Sequence, residues 1–370
     1  MSVFSADDSA YMARALQLAR HGLYTTHPNP RVGCVLVKHG QIVGEGWHER
    51  AGQPHAEVFA LRAAGARAQG ATAYVSLEPC SHYGRTPPCA EALIEAKVGK
   101  VIAAMVDPNP LVAGQGLQRL QAAGIETASG LLRAEARALN GGFISVMERQ
   151  RPFVRIKMAM SLDGRTAMAS GESVWITGEA ARRDVQFWRA QAGAVLTGID
   201  TVLMDQPQLN VRLTAKELGI CGEVRQPVRV VLDSKLRFPQ DAALLATAGK
   251  IYIYTCSQDK EKIALLQDLG LTIRQFAGSR LALPEVLSAL LTDGINELHV
   301  EAGATLTGQL LELGLADELV LYMAPHLMGS AARPLFNLPL ANMAERYALT
   351  IRDIRAVGQD WRILADFHKE

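Results

Sequence analysis

The chain has 370 residues, and its 38 Lys and Arg against 37 Asp and Glu leave a net charge of +1. A single hydrophobic core rarely grows beyond about 250–300 residues, so this length predicts two domains. The hydrophobic fraction of 49% and the charged fraction of 20% exclude a disordered chain. The near-zero charge disfavours a protein that holds nucleic acid through its phosphates.

Three further features bear on where the protein works. The sequence has no run of about 18 apolar residues, so it predicts no membrane span. The first residues have neither the basic stretch nor the apolar run of a secretory signal, so we expect none. Five cysteines are too few, and odd in number, for a disulfide framework. We therefore expect a reducing cytoplasm, in which thiols serve a metal or catalysis.

The N-terminal half alternates between helical and extended patterns. An amphipathic helix is predicted over 5–21, where Ser5 and Asp8 have the spacing of a capping box. Two apolar runs separated by a turn, 33–38 and 41–46, predict a hairpin. Helices are then predicted at 55–64, 87–97 and 115–123, and strands at 73–77, 100–106 and 124–127. This alternation predicts helices layered on a sheet.

A charged segment that ends in Pro152 predicts a domain boundary. We therefore expect a first domain over 1–147 and a second over 148–370. Within the second, strands are predicted at 153–160, 194–197, 228–232, 250–254, 297–300 and 319–324, and helices at 179–191 and 306–313. The β-branched and aromatic residues in these strands are typical of a buried sheet in an α/β domain.

His55, Cys80 and Cys89 are the candidate metal ligands. His55 opens a predicted helix, Cys80 follows a predicted strand, and Cys89 begins the next helix, where the helix dipole favours a thiolate. A structural zinc is normally closed by four protein ligands, whereas three leave a position for water. The set therefore predicts a catalytic zinc.

Glu57 is the candidate proton carrier beside this zinc. It follows His55 by two residues, so it can face the metal without binding it. Zinc lowers the pKa of a bound water to about 7. In nucleobase deaminases such a water attacks an amino-bearing ring carbon while a glutamate acts as acid and base. Here eight residues, 81–88, separate the two cysteines, more than in that pattern, and we expect this segment to line the pocket.

Five motifs in the first half carry a resemblance to a known family. They are residues 26–34 (THPNPRVGC), 46–48 (GWH), 55–57 (HAE), 78–89 (EPCSHYGRTPPC) and 107–110 (DPNP). They resemble the deaminase half of the bifunctional riboflavin-biosynthesis deaminase–reductases, in which a long segment between the cysteines is typical. The second half is similar to the reductase half of that family at residues 157–164 (KMAMSLDG), 171–177 (GESVWIT), 197–205 (TGIDTVLMD), 232–234 (LDS) and 300–303 (VEAG).

The resemblance implies a fold and two activities. The fold is an N-terminal cytidine-deaminase-like three-layer α/β/α domain followed by a dihydrofolate-reductase-like α/β domain. The family uses zinc to deaminate 2,5-diamino-6-(ribosylamino)-4(3H)-pyrimidinone 5′-phosphate by hydrolysis. It then reduces the ribosyl side chain to ribityl with NADPH, which gives 5-amino-6-(ribitylamino)uracil 5′-phosphate. The resemblance also implies a homodimer, paired through its reductase domains. From the composition we expect it to be cytoplasmic, with neither nucleic acid nor membrane as a partner.

The same resemblance assigns roles to individual residues. It makes His55, Cys80 and Cys89 the ligands of one zinc per chain and Glu57 the catalytic residue. The substrate contacts that it implies are Asn29, His48, His82, Ser173, Arg189, Leu209, Arg212 and Glu301. The NADPH contacts that it implies are Ala159, Trp175, Thr201, Asp205, Ser234, Gly303, Ala304, Thr305 and Leu306.

Without the resemblance, the second half identifies a reductase less directly. No Gly-x-Gly-x-x-Gly follows its first predicted strand, so a Rossmann-type dinucleotide site is unsupported. Gly303 follows a predicted strand, and the helix after it could receive a phosphate on its free N–H groups. Arg189 and Arg212 could bind the substrate phosphate, although each could equally be a surface arginine. Two departures from the family pattern are Gln206, where a second Asp is frequent, and Ala304, where Pro is frequent.

Two other functions stay open from the sequence. The first half could be a zinc-stabilised regulatory module fused to a monofunctional reductase, but Glu57 and the three-ligand set disfavour this. It could also be a deaminase of nucleic acid, which the net charge of +1 disfavours. Taken singly, His55 could be a helix cap and the two cysteines could be buried packing residues.

Overall fold

A computed structural model describes residues 4–82, 87–110 and 112–367. The chain divides into two compact units, Met1–Gln150 with Gly219–Gly222, and Arg151–Leu218 with Glu223–Glu370. Each unit has its own sheet and its own hydrophobic clusters. In the described part of the chain, no helix is long and apolar enough to cross a membrane.

The first unit is built on a mixed sheet. Its strands in the described residues are β1 (Gly33–Lys38), β2 (Gln41–Trp47), β3 (Thr72–Val75), β4 (Lys100–Ala103) and β5 (Glu126–Ser129). The spatial order is β2-β1-β3-β4-β5, with β1 antiparallel to both β2 and β3 and with β3, β4 and β5 parallel. The carboxyl ends of the three parallel strands therefore meet at one edge of the sheet.

Helices cover both faces of this sheet. They are α1 (Ala6–Ala19), α2 (Ala56–Ala64), α3 (Cys89–Glu95), α4 (Gln115–Ala122), α5 (Arg133–Leu139) and α6 (Gly141–Arg149). Successive side chains of a strand point to opposite faces. In β1, Cys34 and Leu36 pack with residues of α2, α3 and α4, whereas Val35 and Val37 pack with residues of α1 and α6. The predicted three-layer α/β/α arrangement is confirmed.

Two glycines of β2 bring α2 close to the sheet. A Cβ atom at Gly44 would lie 2.3 Å from the Ala60 carbonyl oxygen, and one at Gly46 would lie 2.5 Å from that of Ala56. Any side chain at these positions would push the helix away. The glycines therefore fix the height at which α2 begins above the strand, and with it the place of His55.

The second unit is built on a larger, mostly parallel sheet. Its strands are β6 (Phe153–Ser161), β8 (Ala194–Gly198), β9 (Val228–Leu232), β10 (Ile251–Thr255), β11 (Thr272–Gln275), β12 (Glu297–Val300), β13 (Glu318–Ala324), β15 (Leu349–Val357) and β16 (Asp360–Phe367); a separate pair consists of β7 (Arg165–Ala167) and β14 (Arg333–Pro334). Across the described residues the order is β11-β10-β9-β8-β12-β6-β13-β16-β15. Within the described residues of this sheet, only the β13–β16 and β16–β15 pairs are antiparallel.

The helices of this unit are α7 (Glu179–Gln191), α8 (Ile199–Asp205), α9 (Ala215–Leu218), α10 (Lys260–Asp268), α11 (Leu283–Thr292) and α12 (Ala304–Glu312). Helix α8 follows β8 and α12 follows β12, so both begin at the carboxyl edge of the parallel strands. This edge of a parallel sheet is where α/β proteins bind ligands. The predicted α/β reductase-type fold is confirmed.

Several predicted elements end elsewhere in the structure. The strands predicted at 73–77 and 100–106 end at Val75 and Ala103. The prediction extended them because Leu77 and Met105 are apolar, but these two buried residues lie in the loops that follow the strands. The helix predicted at 87–97 is shorter and begins at Cys89. The prediction missed the helices α5, α6, α8, α9, α10 and α11, the strands β7, β11 and β14, and the β15–β16 hairpin.

Candidate functional site

Three side chains that the sequence singled out as metal ligands lie together in the first unit. His55 is the N-cap of α2, Cys80 follows β3, and Cys89 is the first residue of α3. Their ligand atoms all lie within 4.8 Å of one another. His55 Nδ1 is 3.3 Å from Cys89 Sγ and 3.6 Å from Cys80 Sγ. A tetrahedral zinc holds nitrogen and sulfur ligands about 3.5–3.8 Å apart, so the cluster has the dimensions of a zinc site.

The protonation of the two thiols also suits a metal. Hydrogen bonds from Cys89 and His55 lower the pKa of Cys80 to about 4, and the backbone N–H of Cys89 donates to Cys80 Sγ at 3.2 Å. Cys80 is therefore a thiolate, the form that binds zinc. The pKa of Cys89 is raised by its hydrogen bond to that thiolate and by burial.

Glu57 lies in the first turn of α2, beside the cluster. Its side chain is 3% exposed, and Oε2 has no hydrogen-bond partner among the residues that the structure describes. Burial, and then the charge of Cys80, raise the pKa of Glu57 to about 7. A buried carboxylate with an unoccupied oxygen and a pKa near neutrality is suited to receive and return a proton.

His48 and Asn29 lie next to the cluster. The ring of His48 stands edge-on to that of His55, with centroids 5.5 Å apart. His48 Nδ1 lies 3.1 Å from the carbonyl oxygen of Pro54, and Nε2 lies 3.2 Å from Asn29 Nδ2. Since a carbonyl only accepts, Nδ1 carries the proton and Nε2 accepts from the amide. Burial lowers the pKa of His48, which favours this neutral form.

The long segment between the cysteines is only partly described. His82 is exposed and lies near Asp107. Burial raises the pKa of Asp107, and the charge of the nearby His82 opposes this rise. Residues 83–86 of the segment predicted to line the pocket lie outside the described residues. The sequence did not single out Glu78, whose buried carboxylate contacts the start of α4.

A buried ion pair lies at the carboxyl edge of the second unit's sheet. Arg189, on α7, donates from Nε to Glu301 Oε1 at 2.5 Å and from Nη2 to Oε2 at 2.9 Å. Although burial raises the pKa of Glu301, the guanidinium holds it well below the usual range. Lys157 on β6 lies near both, and burial lowers its pKa while the Glu301 charge opposes this shift. Arg189 is therefore not a surface arginine.

The other predicted substrate contacts of this unit differ in their exposure and in the groups that they contact. Arg212 is exposed as a whole residue. Partial desolvation of its guanidinium, and then the charge of the nearby Arg189, lower its pKa. Ser173 donates to Asp205 Oδ1 at 3.1 Å. Leu209 packs its side chain into a hydrophobic cluster, so only its backbone groups can face a ligand.

The predicted cofactor contacts come from neighbouring strands. Ala159 lies on β6, Thr201 and Asp205 lie on α8 after β8, Ser234 follows β9, and the 303–306 group opens α12 after β12. The sheet order β9-β8-β12-β6 therefore brings these positions to one edge, although they lie far apart in the sequence. Trp175 is the exception, since its exposed ring lies on a loop and stacks on Arg182 at 4.4 Å.

Residues 152–363 match the family described as the RibD C-terminal domain, and residues 5–105 match the cytidine and deoxycytidylate deaminase zinc-binding region. The chain is 51% identical to riboflavin biosynthesis protein RibD of Escherichia coli, over 95% of this chain and 97% of that protein. It is 50% identical to the Haemophilus influenzae protein of the same name, over 98% of each chain. The chain belongs to the family of bifunctional riboflavin-biosynthesis deaminase–reductases.

Solved structures of this family agree with the fold. A structure of RibD from Acinetobacter baumannii has a TM-score of 0.89 and 49% identity, covering 98% of this chain and 99% of that one. A Thermotoga maritima structure has a TM-score of 0.85 and 31% identity over the same shares of the two chains. It is described as a diaminohydroxyphosphoribosylaminopyrimidine deaminase/5-amino-6-(5-phosphoribosylamino)uracil reductase. The resemblance and the bifunctional activity predicted from the motifs are confirmed, and the regulatory-module alternative is not favoured.

Proposed function

We propose that residues 1–147 deaminate 2,5-diamino-6-(ribosylamino)-4(3H)-pyrimidinone 5′-phosphate and that residues 148–370 reduce the product with NADPH to 5-amino-6-(ribitylamino)uracil 5′-phosphate. The observation that carries the proposal is the His55, Cys80 and Cys89 cluster beside the buried Glu57 oxygen Oε2, which has no hydrogen-bond partner among the described residues. The substrates named for the Thermotoga maritima relative support it. The two matched regions, 5–105 and 152–363, support the division of labour.

The cluster fits one zinc ion per chain. His55 Nδ1 and the two sulfurs supply one nitrogen and two thiolate ligands, the donor set of a catalytic rather than a closed structural site. When bound, zinc supplies an open coordination position and a Lewis acid that makes water nucleophilic near neutral pH. The thiols bind a metal only when reduced, so we propose a reducing, cytoplasmic location for the protein.

In the proposed deamination, water adds to the amino-bearing ring carbon, the carbon–nitrogen bond breaks and ammonia leaves. Glu57 accepts a proton from the attacking water at Oε2 and returns it to the departing amino group. Burial of the Glu57 carboxylate raises its pKa, which favours both the uptake and the return of a proton. Asn29, His48 and His82 are the proposed substrate contacts of this unit, and the neutral His48 keeps the Asn29 amide oriented.

In the proposed reduction, Arg189 and Arg212 bind the substrate phosphate, for which two close guanidinium groups are suited. Glu301 holds Arg189 in place. Glu301, Ser173 and the backbone of Leu209 are the other proposed substrate contacts. NADPH fits the carboxyl edge, where α12 begins without a side-chain cap and a Cβ at Gly303 would meet open space. When bound, NADPH supplies the hydride for the electrophilic sugar carbon. Its proposed contacts are Ala159, Trp175, Thr201, Asp205, Ser234, Gly303, Ala304, Thr305 and Leu306.

The proposal predicts two separable activities in one preparation. Zinc-loaded protein given the diaminopyrimidine phosphate should release ammonia without NADPH, and NADPH oxidation should begin only after deamination. A chelator should stop ammonia release and spare NADPH oxidation on substrate that has already been deaminated, because the metal serves only the first unit. Ammonia release that survives metal removal, or NADPH oxidation without deamination, would contradict the assignment.

We propose a homodimer formed through the second unit, because the β15 edge carries an apolar strip. A bulge between Ile351 and Asp353 places Ile351 and Ile354 opposite Ala365 and Ile363, so the two isoleucines share a face of the sheet. They are 55% and 53% exposed. An exposed, apolar edge strand is suited to pair with another chain.

Ile354→Lys should therefore give monomers in sedimentation velocity at concentrations where the wild type is dimeric, since a buried lysine would oppose the interface. The matched control is Ile42→Lys, which places the same charge at an exposed isoleucine of the first unit and should stay dimeric. A wild-type protein that sediments as a monomer would refute the homodimer.

A further inference from the structure

Glu78 connects the segment that carries Cys80 to the start of α4. Its carboxylate is buried and accepts four backbone hydrogen bonds. Oε2 accepts from the N–H groups of Asp107 and Gly114, both at 3.0 Å. Oε1 accepts from Gly116 at 2.8 Å and from Leu117 at 3.2 Å.

These bonds serve a helix that has no cap of its own. The N-cap of α4 is Gly114, which offers no side chain, and the first turn contains no acidic residue. The first N–H groups of a helix lack partners within it, and the helix dipole favours a negative charge there. Glu78 supplies both the acceptors and the charge from a distant part of the chain.

The same contact fixes the backbone next to Cys80. A Cβ atom at Gly116 would lie 1.9 Å from the carbonyl oxygen of Pro79, so α4 packs directly on the residue before the ligand. From the other side, the N–H of Ala90 donates to the Cys80 carbonyl oxygen at 3.1 Å. Cys80 is thus held between the starts of α3 and α4.

We propose that Glu78 is a positioning residue for the metal centre: by binding the start of α4, it holds Cys80 at ligand distance from His55 before the metal binds. The inference rests on the zinc-dependent deaminase function proposed above. A preorganised ligand lowers the free-energy cost of binding, and outer partners that orient ligands are worth about 10- to 100-fold in metal affinity or activity.

The test is the zinc dissociation constant of the full-length protein, measured by competition with a chromophoric chelator. Glu78→Gln keeps the shape of the side chain but replaces one acceptor oxygen with a donor, and it should raise the zinc Kd about 10- to 100-fold. Glu78→Asp keeps the charge and should lie between Glu78→Gln and the wild type. Gly116→Ala disturbs the same contact while Glu78 stays intact, and it should also raise the zinc Kd.

The matched control is Glu91→Gln. Glu91 also joins α3 to α4, but through the Arg119 side chain rather than through backbone N–H groups, so its loss should leave the zinc Kd unchanged. NADPH oxidation on deaminated substrate, measured for each variant, reports whether the second unit is intact.

Unchanged zinc Kd values in Glu78→Gln and Gly116→Ala would overturn the inference. So would a lower free energy of unfolding with an unchanged Kd, since this would make the role purely structural. A wild-type protein that binds no zinc would instead refute the function proposed for the first unit, and the two failures are therefore distinguishable.

Discussion

Replacing Glu57 with glutamine is expected to lower the rate of ammonia release by a factor of about 10²–10⁴ while the zinc content stays at the wild-type level. Glutamine matches the shape of glutamate, so the buried site beside His55 should remain intact. In the wild type, the Glu57 oxygen that has no hydrogen-bond partner among the described residues would accept the proton. The amide of glutamine cannot accept it. The measurement combines ammonia release with metal analysis of the same sample.

The control for this prediction is Glu95→Gln, an exposed glutamate at the end of α3, which should release ammonia at the wild-type rate. NADPH oxidation on deaminated substrate should be unchanged in both variants. Normal ammonia release by Glu57→Gln with zinc bound would rule out the proton-carrier role.

Replacing Arg189 with methionine is expected to destabilise the second unit by roughly 3–5 kcal/mol and to abolish NADPH oxidation. The side chains of Arg189 and Glu301 are 10% and 12% exposed. The substitution would therefore leave the Glu301 carboxylate buried without its guanidinium. Calorimetric unfolding of the full chain measures the stability, and ammonia release should persist because the first unit is unchanged.

The double variant Arg189→Met with Glu301→Gln separates the two roles of Arg189. Replacing a buried ion pair by neutral groups of similar volume is often neutral for stability, so the double variant should unfold near the wild-type temperature. NADPH oxidation should remain low, since the guanidinium proposed for the substrate phosphate is still missing. A double variant that reduces substrate with the wild-type KM would show that Arg189 acts only in the fold.

The clustering of His55, Cys80 and Cys89 could be predicted because metal binding limits the residue types. Few side chains bind zinc, and His55, Cys80 and Cys89 each stand next to a predicted helix start or strand end, where side chains converge. Glu57 followed from its spacing to His55. The structure brings these four residues together from three separate elements.

Local patterns do not show what other residues of the site contact. Glu78 acts through backbone N–H groups that lie 29 to 39 residues away, and any residue there presents the same N–H. The pairing of Arg189 with Glu301 spans 112 residues, and from the sequence alone Arg189 could have been a surface arginine. Both interactions depend on the order of strands in a sheet, which periodicity does not determine.

The position of β12 between β8 and β6 has a consequence for biosynthesis. β6 is the first strand of the second unit to leave the ribosome, yet both of its partners, β12 and β13, are made much later. Meanwhile the neighbouring strands β8 to β11 can already assemble in chain order. A nascent chain that has emerged only through β11 therefore keeps β6 unpaired, in a form that invites association with other chains. The centre of this sheet can form only after β12 has been made, so chains truncated before β12 cannot form the edge on which the proposed cofactor contacts meet.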